Sequence, residues 1–436
     1  MKFLKTLLKK ITVAVLTLEA RLILKKYKPK IVAITGTVGK TSSKDAVYAV
    51  LSHFYKTRKS EKSFNSEIGI PLTVIGCPNA WNNPLMWIKN FLDGISLLIQ
   101  KKPYPEWLVL EVGADRPGDI KKTASWIKPD IAIITRLSKV PAHVEFFESP
   151  EAIKAEKGEL AHAVSKNGTI ILNADDEDVM SLKEKIKNRT ESYGFSKDAT
   201  LVASYENIEY KKDENDGYPL GITFRVDSKG SSIPVHLSGG FGMNHVYSAL
   251  SALAVADVRE LNMVRAAEAL HTYEMAPGRL RLIKGVKGSI IIDDTYNASP
   301  VAMESALETL SKLEGKAKKI AVLGDMLELG KHASTEHRRM GEIAGKICDM
   351  VITVGIRARH IAEGALIAGL SEKKIFQFED SKEAGKFLEQ KIKEGDIALV
   401  KGSQGMRMER AVLEVMANPE KAKELLVRQE EEWNSR

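Results

Sequence analysis

Cysteine is nearly absent: the chain holds two, Cys77 and Cys348, far apart and without metal-ligand spacing. Neither a disulfide framework nor a thiolate metal site can be built from them, and the scarcity suggests a reducing, cytoplasmic compartment. Long apolar runs are missing as well. The stretch 11–18 is the longest uncharged run of the N-terminal arm, well short of the ~20 apolar residues a spanning helix needs. Glu19 stands where a signal peptide would want a small-residue cleavage site. No short-period repeat or low-complexity tract is present. Most of the chain also lacks excess charge of one sign. The net charge of +8 lies wholly in residues 1–30, which hold nine basic residues against Glu19, while the remainder carries 56 basic and 56 acidic residues. With the charge confined to one arm and no recognition motif beside it, nucleic acid is not expected as a partner.

What is present is ordinary for a globular protein. At 436 residues, 44% hydrophobic and 28% charged, the chain has room for two or three domains, each with a core, and is neither disordered nor a membrane bundle. In the arm, Leu4, Leu7, Leu8, Ile11, Val15, Leu18 and Leu22 fall at helical spacing with lysines largely on other faces, which predicts a basic amphipathic helix. Two destinations stand open for it: an anionic membrane surface, or the protein's own body with the lysines solvated.

From Ile31 onward apolar strands alternate with helical patterns, the signature of a parallel α/β sheet. The first strand runs into Gly36, a turn carries Gly39, and Lys40-Thr41-Ser42 opens a helix. That is the grammar of a phosphate-binding loop: backbone N–H groups at a helix N-terminus cradle phosphate, Lys adds charge, and a hydroxyl reaches Mg²⁺. The usual first glycine position is Ile34, so the loop is a variant; a plain strand–turn–helix corner is the alternative. Residues 107–113 and 131–135 read as buried strands, the former carrying Glu111 near its end. Between the early units, Leu85, Ile88, Leu92, Ile95 and Ile99 share one face of a segment expected to be a helix covering the sheet, with a second membrane or partner contact as the alternative. Shorter, more polar strands follow between about 189 and 237, then helices near 243–256 and 261–273. Ala276-Pro277-Gly278 breaks the pattern. Beyond it, strands at 289–293, 320–323, 350–354, 374–378 and 397–400 predict a second doubly wound domain. The expected plan is an arm (1–30), a P-loop ATPase domain with a parallel sheet (31–275), a Rossmann-like α/β domain (276–418) and a charged, solvated helix (419–436).

The stretches GTVGKTS (36–42), FNSEIGIPLT (64–73), LEVGADRPGDI (110–120), KAEKGEL (154–160), LNADD (172–176), APGRLRL (276–282), DDTYNASPVAM (293–303), LGDMLELG (323–330) and KGSQGMRME (401–409) occur in this order. In them the chain resembles the Mur ligases, and among these the branch that joins D-alanyl-D-alanine to a UDP-muramoyl tripeptide in peptidoglycan synthesis. The resemblance implies a cytoplasmic, monomeric, ADP-forming ligase. Such an enzyme uses ATP and Mg²⁺ to make an acyl phosphate that an amine attacks. It assigns Gly36, Thr37, Gly39, Lys40, Thr41 and Ser42 to the nucleotide phosphates; Thr41, Glu111, His143 and Lys157 to metal; and Lys40, His143, Lys157 and Arg279 to catalysis. Lys157 matches a lysine the family commonly carbamylates. Arg279 matches a γ-phosphate contact, Asp294 a ribose contact and Asn297 an adenine contact. Asn244-His245 stands in reversed order at a nucleotide-contact position, and Lys401, Ser403 and Arg407 fall on the incoming-amine side. Only 30 residues precede the loop, so the family's uridine-gripping domain is expected to be missing, and two readings stand open: another protein supplies it, or the acid is carried differently, on a lipid at the membrane that the arm touches. Folyl-polyglutamate or cyanophycin synthetase types, with another acid and amine, and a non-catalytic nucleotide-binding protein at the membrane are the alternatives.

Overall fold

The computed structural model describes residues 2–61, 64–137, 144–210, 219–240, 242–313, 318–430 and 433, with side chains from residue 6 onward. Its first sheet is built from β1 (Lys30–Thr35), β2 (Thr57–Lys59), β3 (Trp107–Glu111), β4 (Ile131–Ile134), β5 (Thr169–Asn173), β6 (Arg189–Gly194), β7 (Leu201–Tyr210), β8 (Pro219–Ser228) and β9 (Ser231–Ser238). Among the described residues the strand order is β2-β3-β1-β4-β5-β6-β7-β8-β9. Pairing is parallel from β2 through β7 and antiparallel at the β7-β8-β9 end. Side chains alternate between two cores. Val32, Ile34, Val109, Ile131 and Ile133 pack on one face, and Ile31, Ala33, Leu108, Leu110, Ala132 and Ile134 on the other. The period-2 alternation of a strand buried on both faces accounts for the continuous apolar runs in the sequence.

The second sheet comprises β10 (Arg281–Lys284), β11 (Ile290–Asp294), β12 (Lys319–Gly324), β13 (Met350–Val354), β14 (Ile375–Phe378) and β15 (Ile397–Lys401), in the order β10-β11-β15-β12-β13-β14. Only β10 runs antiparallel among these described strands. The expected strands of this half are therefore present within a residue or two of their sequence bounds. In both sheets the strand order reverses beside a central strand, and the crevice at the carboxyl ends there is where open α/β sheets hold ligands.

Helices α1 (Lys2–Tyr27), α2 (Lys40–Phe54), α3 (Gly69–Ile75), α4 (Pro84–Ile99), α5 (Asp119–Ile127) and α6 (Pro150–His162) flank the first sheet. α2 covers one face together with the helix at 243–258; α1 and α3 cover the other, and α4 packs against both. One expectation needs correction here. The face of α4 expected to cover the sheet, Leu85, Ile88, Leu92, Ile95 and Ile99, is exposed, while Asn90 and Gly94 on the opposite side are buried. Likewise α1 packs on the body through Val13, Leu16, Ala20 and Ile23, and leaves Leu7, Leu8, Ile11, Val15, Leu18 and Leu22 exposed. Both helices are apolar on two faces, and periodicity alone cannot say which face a neighbour takes. No helix among the described residues is long and apolar enough to cross a membrane.

The C-terminal segment departs from expectation as well. Instead of one solvated helix it forms a 3₁₀ turn at Pro419–Lys421 and a short helix at Ala422–Leu425, with Leu426 and Arg428 buried.

Candidate active site

The loop after β1 and the strand end at Glu111 are brought together by sheet register, since Ile34 is paired with Glu111 across β1 and β3. Gly36 has φ +148°, and a Cβ there would lie 1.9 Å from Thr135 Oγ1. Thr135 fills that space and donates from Oγ1 to the Val38 carbonyl at 2.7 Å. Gly39, at φ +89°, turns the chain into α2. A left-handed turn of this kind favours glycine. The loop therefore delivers Lys40, Thr41 and Ser42 to the N-terminus of α2, where unpaired N–H groups and the helix dipole favour an anion.

Lys40 Nζ donates to the Gly36 carbonyl at 2.8 Å. Enclosure of its ammonium lowers its pKa, against the opposing charges of Glu111 and Asp115. Thr41 Oγ1 donates to Glu111 Oε2 at 2.9 Å, and Asn65 Nδ2 donates to Glu111 Oε1 at 3.0 Å. Asn65 belongs to a stretch used for the family resemblance, yet its role was not legible there; an isolated Asn in a polar loop carries no spacing signal. Lys157, on α6, is buried. Burial, reinforced by the charge of Lys40, brings its pKa down to about 7, with Glu156 and Asp115 acting in the other direction. Its neighbour Glu156 is engaged elsewhere, accepting from the Gly118 and Ile120 N–H groups at the start of α5. His143 lies outside the described residues.

The second domain closes the site from the opposite side. Arg279 Nη2 comes within 3.4 Å of Thr41 Oγ1, and its guanidinium sits 4.0 Å over the Tyr296 ring. Its buried Nε has no hydrogen-bond partner among the described residues, and neither has the hydroxyl of Thr37. His245 is buried between the Tyr273 hydroxyl at 3.0 Å and the Arg279 carbonyl at 2.9 Å. Burial lowers its pKa to about 4, so a neutral imidazole orients the backbone of Arg279. Asn244 lines the same cleft.

Asp294 and Lys401 occupy paired positions at the ends of β11 and β15. Lys401 Nζ donates to Asp294 Oδ2 at 2.6 Å and to the Asn297 carbonyl at 2.9 Å. Burial lowers the pKa of Lys401 while Asp294 acts to raise it. Asn297 Oδ1 accepts from the Ala298 N–H at 2.9 Å. Ser403 is buried, accepting from the Leu327 N–H at 2.9 Å; it joins two loops rather than lining the cleft. Arg407 is likewise turned to other work: Nε donates to Glu409 at 2.5 Å and Nη1 to the Trp433 carbonyl at 2.9 Å. Thus the cleft gathers the loop residues Thr37 to Ser42, Glu111, Lys157, Asn244, His245, Arg279, Asp294, Asn297 and Lys401, but not Ser403 or Arg407. Its volume is about 530 Å³, within the usual range for small-molecule sites.

The donor set fits a nucleotide phosphate with a hard cation. Buried donors at Arg279 and Thr37 that make no hydrogen bond to the described residues suit phosphate oxygens, because a buried polar group without a partner costs about 1–3 kcal/mol. Among the described residues no three His, Cys, Asp or Glu side chains cluster as a metal cage. Mg²⁺ does not ask for one, since it binds through one or two carboxylates together with substrate phosphates and water; Thr41 and Glu111 offer that partial set.

The Mur ligase middle domain family matches residues 91–256, and the Mur ligase glutamate ligase domain family matches residues 278–404. The chain is 29% identical over 410 residues to the UDP-N-acetylmuramoyl-tripeptide–D-alanyl-D-alanine ligase of Bacillus subtilis, covering 94% of this chain and 80% of that one. It is 28% identical to the Escherichia coli enzyme of the same name, covering 89% and 77%. Its fold superposes on MurF from Thermotoga maritima, solved in complex with ADP, with a TM-score of 0.73 and 26% identity over 92% of this chain and 82% of that one. For MurF from Acinetobacter baumannii the TM-score is 0.75 at 24% identity, over 92% and 79%. With both catalytic-body domains matched in order and the fold shared with solved members, the chain belongs to the Mur ligase family.

Proposed function

We propose that this protein is an ATP- and Mg²⁺-dependent, ADP-forming amide ligase that adds D-alanyl-D-alanine to a muramoyl-tripeptide precursor of peptidoglycan. The relatives' names supply the substrate pair. The observation that carries the chemistry is the meeting of two domains on one cleft: Arg279 reaches Thr41 across the boundary while keeping a buried donor free.

In this reading the α2 N-terminus and Lys40 hold the β- and γ-phosphates. Arg279 takes the transferring phosphoryl group as the acid's carboxylate oxygen attacks phosphorus and ADP departs. Thr41 and Glu111 would hold Mg²⁺, with Lys157 and His143 as further candidates; the ion would neutralise phosphate charge. The amine then attacks the acyl carbon, phosphate leaves, and the amine's proton is lost. Preorganised cations matter because the transition state spreads charge over phosphoryl oxygens in a site sheltered from water. A lysine with a pKa near 7 is partly neutral at physiological pH. The neutral amine is the form that adds CO₂, giving a carbamate and releasing a proton, which would turn Lys157 from a cation into a metal-binding anion. Asp294 and Asn297 are assigned to the nucleoside, and Lys401 to the space where the amine enters.

Phosphate release from ATP and Mg²⁺ tests the assignment, with muramoyl tripeptides offered with and without UDP against a panel of amino acids and dipeptides. Stimulation that needs both a muramoyl tripeptide and D-alanyl-D-alanine is expected. Stimulation by a different acid–amine pair would replace the substrates; none by any pair would remove the ligase reading.

We also propose that α1 and α4 rest on an anionic membrane surface. Of the twenty exposed large apolar side chains among the described residues, eleven lie on these two helices. The helices pack side by side: Lys26 Nζ donates to the Leu97, Leu98 and Gln100 carbonyls, and Gly94 abuts Glu19. Lys10, Arg21, Lys25, Lys28 and Lys89 are exposed on or beside the same pair. Of its carboxylates Glu19 is buried and Asp93 is paired with Lys89 at 3.6 Å. Apolar stripes bordered by cations suit the headgroup–acyl boundary. Sedimentation with phosphatidylglycerol vesicles, against none with purely zwitterionic ones, is the expected result; equal behaviour with both would reject an electrostatic contribution.

A further inference from the structure

The C-terminal segment was expected to be solvated, and residues 405 onward lie beyond the matched ligase domain. Yet this segment reaches back to the nucleotide side of the cleft. Arg428 is 8% exposed. Its Nη1 donates to the Thr295 carbonyl at 3.2 Å and to Glu409 Oε2 at 2.8 Å, and its Nη2 donates to the Tyr296 carbonyl. The guanidinium also lies 5.6 Å from the Tyr296 ring centre, the ring over which Arg279 stacks at 4.0 Å. The next link is at the domain boundary. The Tyr296 N–H donates to the Gly278 carbonyl at 3.1 Å, and the space a Cβ would need at Gly278 is taken by Tyr296 and Val427. Gly278 has φ +70°, so the chain immediately before Arg279 is clamped where a side chain could not be.

We infer that the tail is a strap and Arg428 a positioning residue: by holding the Thr295 and Tyr296 carbonyls it fixes the ring that backs Arg279 and the loop that carries Asn297, and so sets the affinity for nucleotide. Arginine suits the task because its planar fork serves two carbonyls and a carboxylate at once. Arg428 itself has φ +58°, a conformation a non-glycine residue keeps only where surrounding contacts hold it. The inference rests on the assignment of Arg279 and Asn297 to the nucleotide, not on which acid and amine are joined.

The test uses the full chain with Arg428→Lys and Arg428→Gln, which retain a donor but lose the fork, and Lys373→Ala as a distant exposed control. Binding of a non-hydrolysable ATP analogue, which keeps the γ-phosphate that Arg279 is assigned to, is measured by calorimetry, beside thermal melting of the free protein and the steady-state constants. Both Arg428 variants should bind the analogue about tenfold more weakly. The KM for ATP should rise by a similar factor, with the KM values for acid and amine close to those of the parent. In a Tyr296→Ala background the same substitutions should add little further loss, because the ring that relays the effect is gone. Unchanged affinity for the analogue would overturn the inference. So would a uniform loss of active protein that lowers kcat and leaves every KM alone, since that is the mark of a residue serving stability only. Analogue binding that weakens while no acid–amine pair stimulates phosphate release would uphold the strap and reject the ligase substrates.

Discussion

The two ends of the first domain sort their residues in opposite ways. At the carboxyl edge of the sheet, polar and charged groups go inside: Glu111, Lys157 and His245 are all buried, each beside a named partner or a neighbouring charge. On the α1–α4 layer the aliphatic groups go outside, and the arm's one carboxylate, Glu19, is buried with its Oε2 unpaired. Both arrangements run against the general preference for apolar interiors and solvated charges. The contrast separates two kinds of unfinished surface. The cleft gathers charged donors of the kind that suit anions, whereas the layer exposes apolar area.

The largest effect should come from removing charge at the cleft. Lys40→Ala is expected to lower kcat for phosphate release about 10³-fold, because the phosphates lose their fixed cation in a sheltered site. A drop of less than about tenfold would mean that the cleft does not act through this loop. Next, Leu18→Glu combined with Ile95→Glu should weaken partition onto phosphatidylglycerol vesicles by about tenfold or more while leaving phosphate release from soluble substrates near the parent rate. If the pair of substitutions left vesicle binding intact, the layer would be no docking face.

A smaller, pH-dependent effect belongs to Lys157. Because its pKa is brought down to about 7, the neutral amine grows as pH rises through that value. Added bicarbonate should therefore raise activity a few-fold above pH 7 and little below pH 6. Lys157→Ala should be insensitive to bicarbonate and partly rescued by short carboxylic acids. Equal bicarbonate response at both pH values would argue against carbamylation. The smallest effect is on stability. Burial raises the pKa of Glu19 from 4.5 to about 7. Between those values the folded chain keeps a proton that the unfolded chain has lost, so this group's contribution falls as pH rises and its cost is complete above about pH 7. Glu19→Gln should raise the melting temperature at pH 8, corresponding to about 1–3 kcal/mol, and leave it unchanged near pH 4. A shift of equal size at both pH values would assign the effect to packing rather than ionisation.

Much of the fold was legible because its signals are local. Alternating buried strands, the Gly36–Gly39 turn and the break at Ala276–Gly278 each follow from residues adjacent in sequence. The cleft was legible as a set of motifs, with Thr41, Glu111, Lys157 and Arg279 all drawn toward it. Asn65, Tyr296 and Arg428 were not, since each acts through a neighbour far along the chain. Ser403 and Arg407 follow the same strand as Lys401, yet hydrogen bonds to Leu327 and to Glu409 and Trp433 turn them elsewhere.

By itself, then, the sequence determined that a phosphate loop opens a parallel α/β domain, that a second such domain follows, and that one basic helix precedes them. These depend on turn chemistry, side-chain periodicity and charge counts, which neighbouring residues specify. The tertiary structure decided which face of α1 and α4 stays exposed, where the C-terminal tail goes, and that Arg279 arrives at Thr41 backed by Tyr296. Those outcomes depend on competition among surfaces for burial and among donors for distant carbonyls, and no local pattern encodes the winner of either.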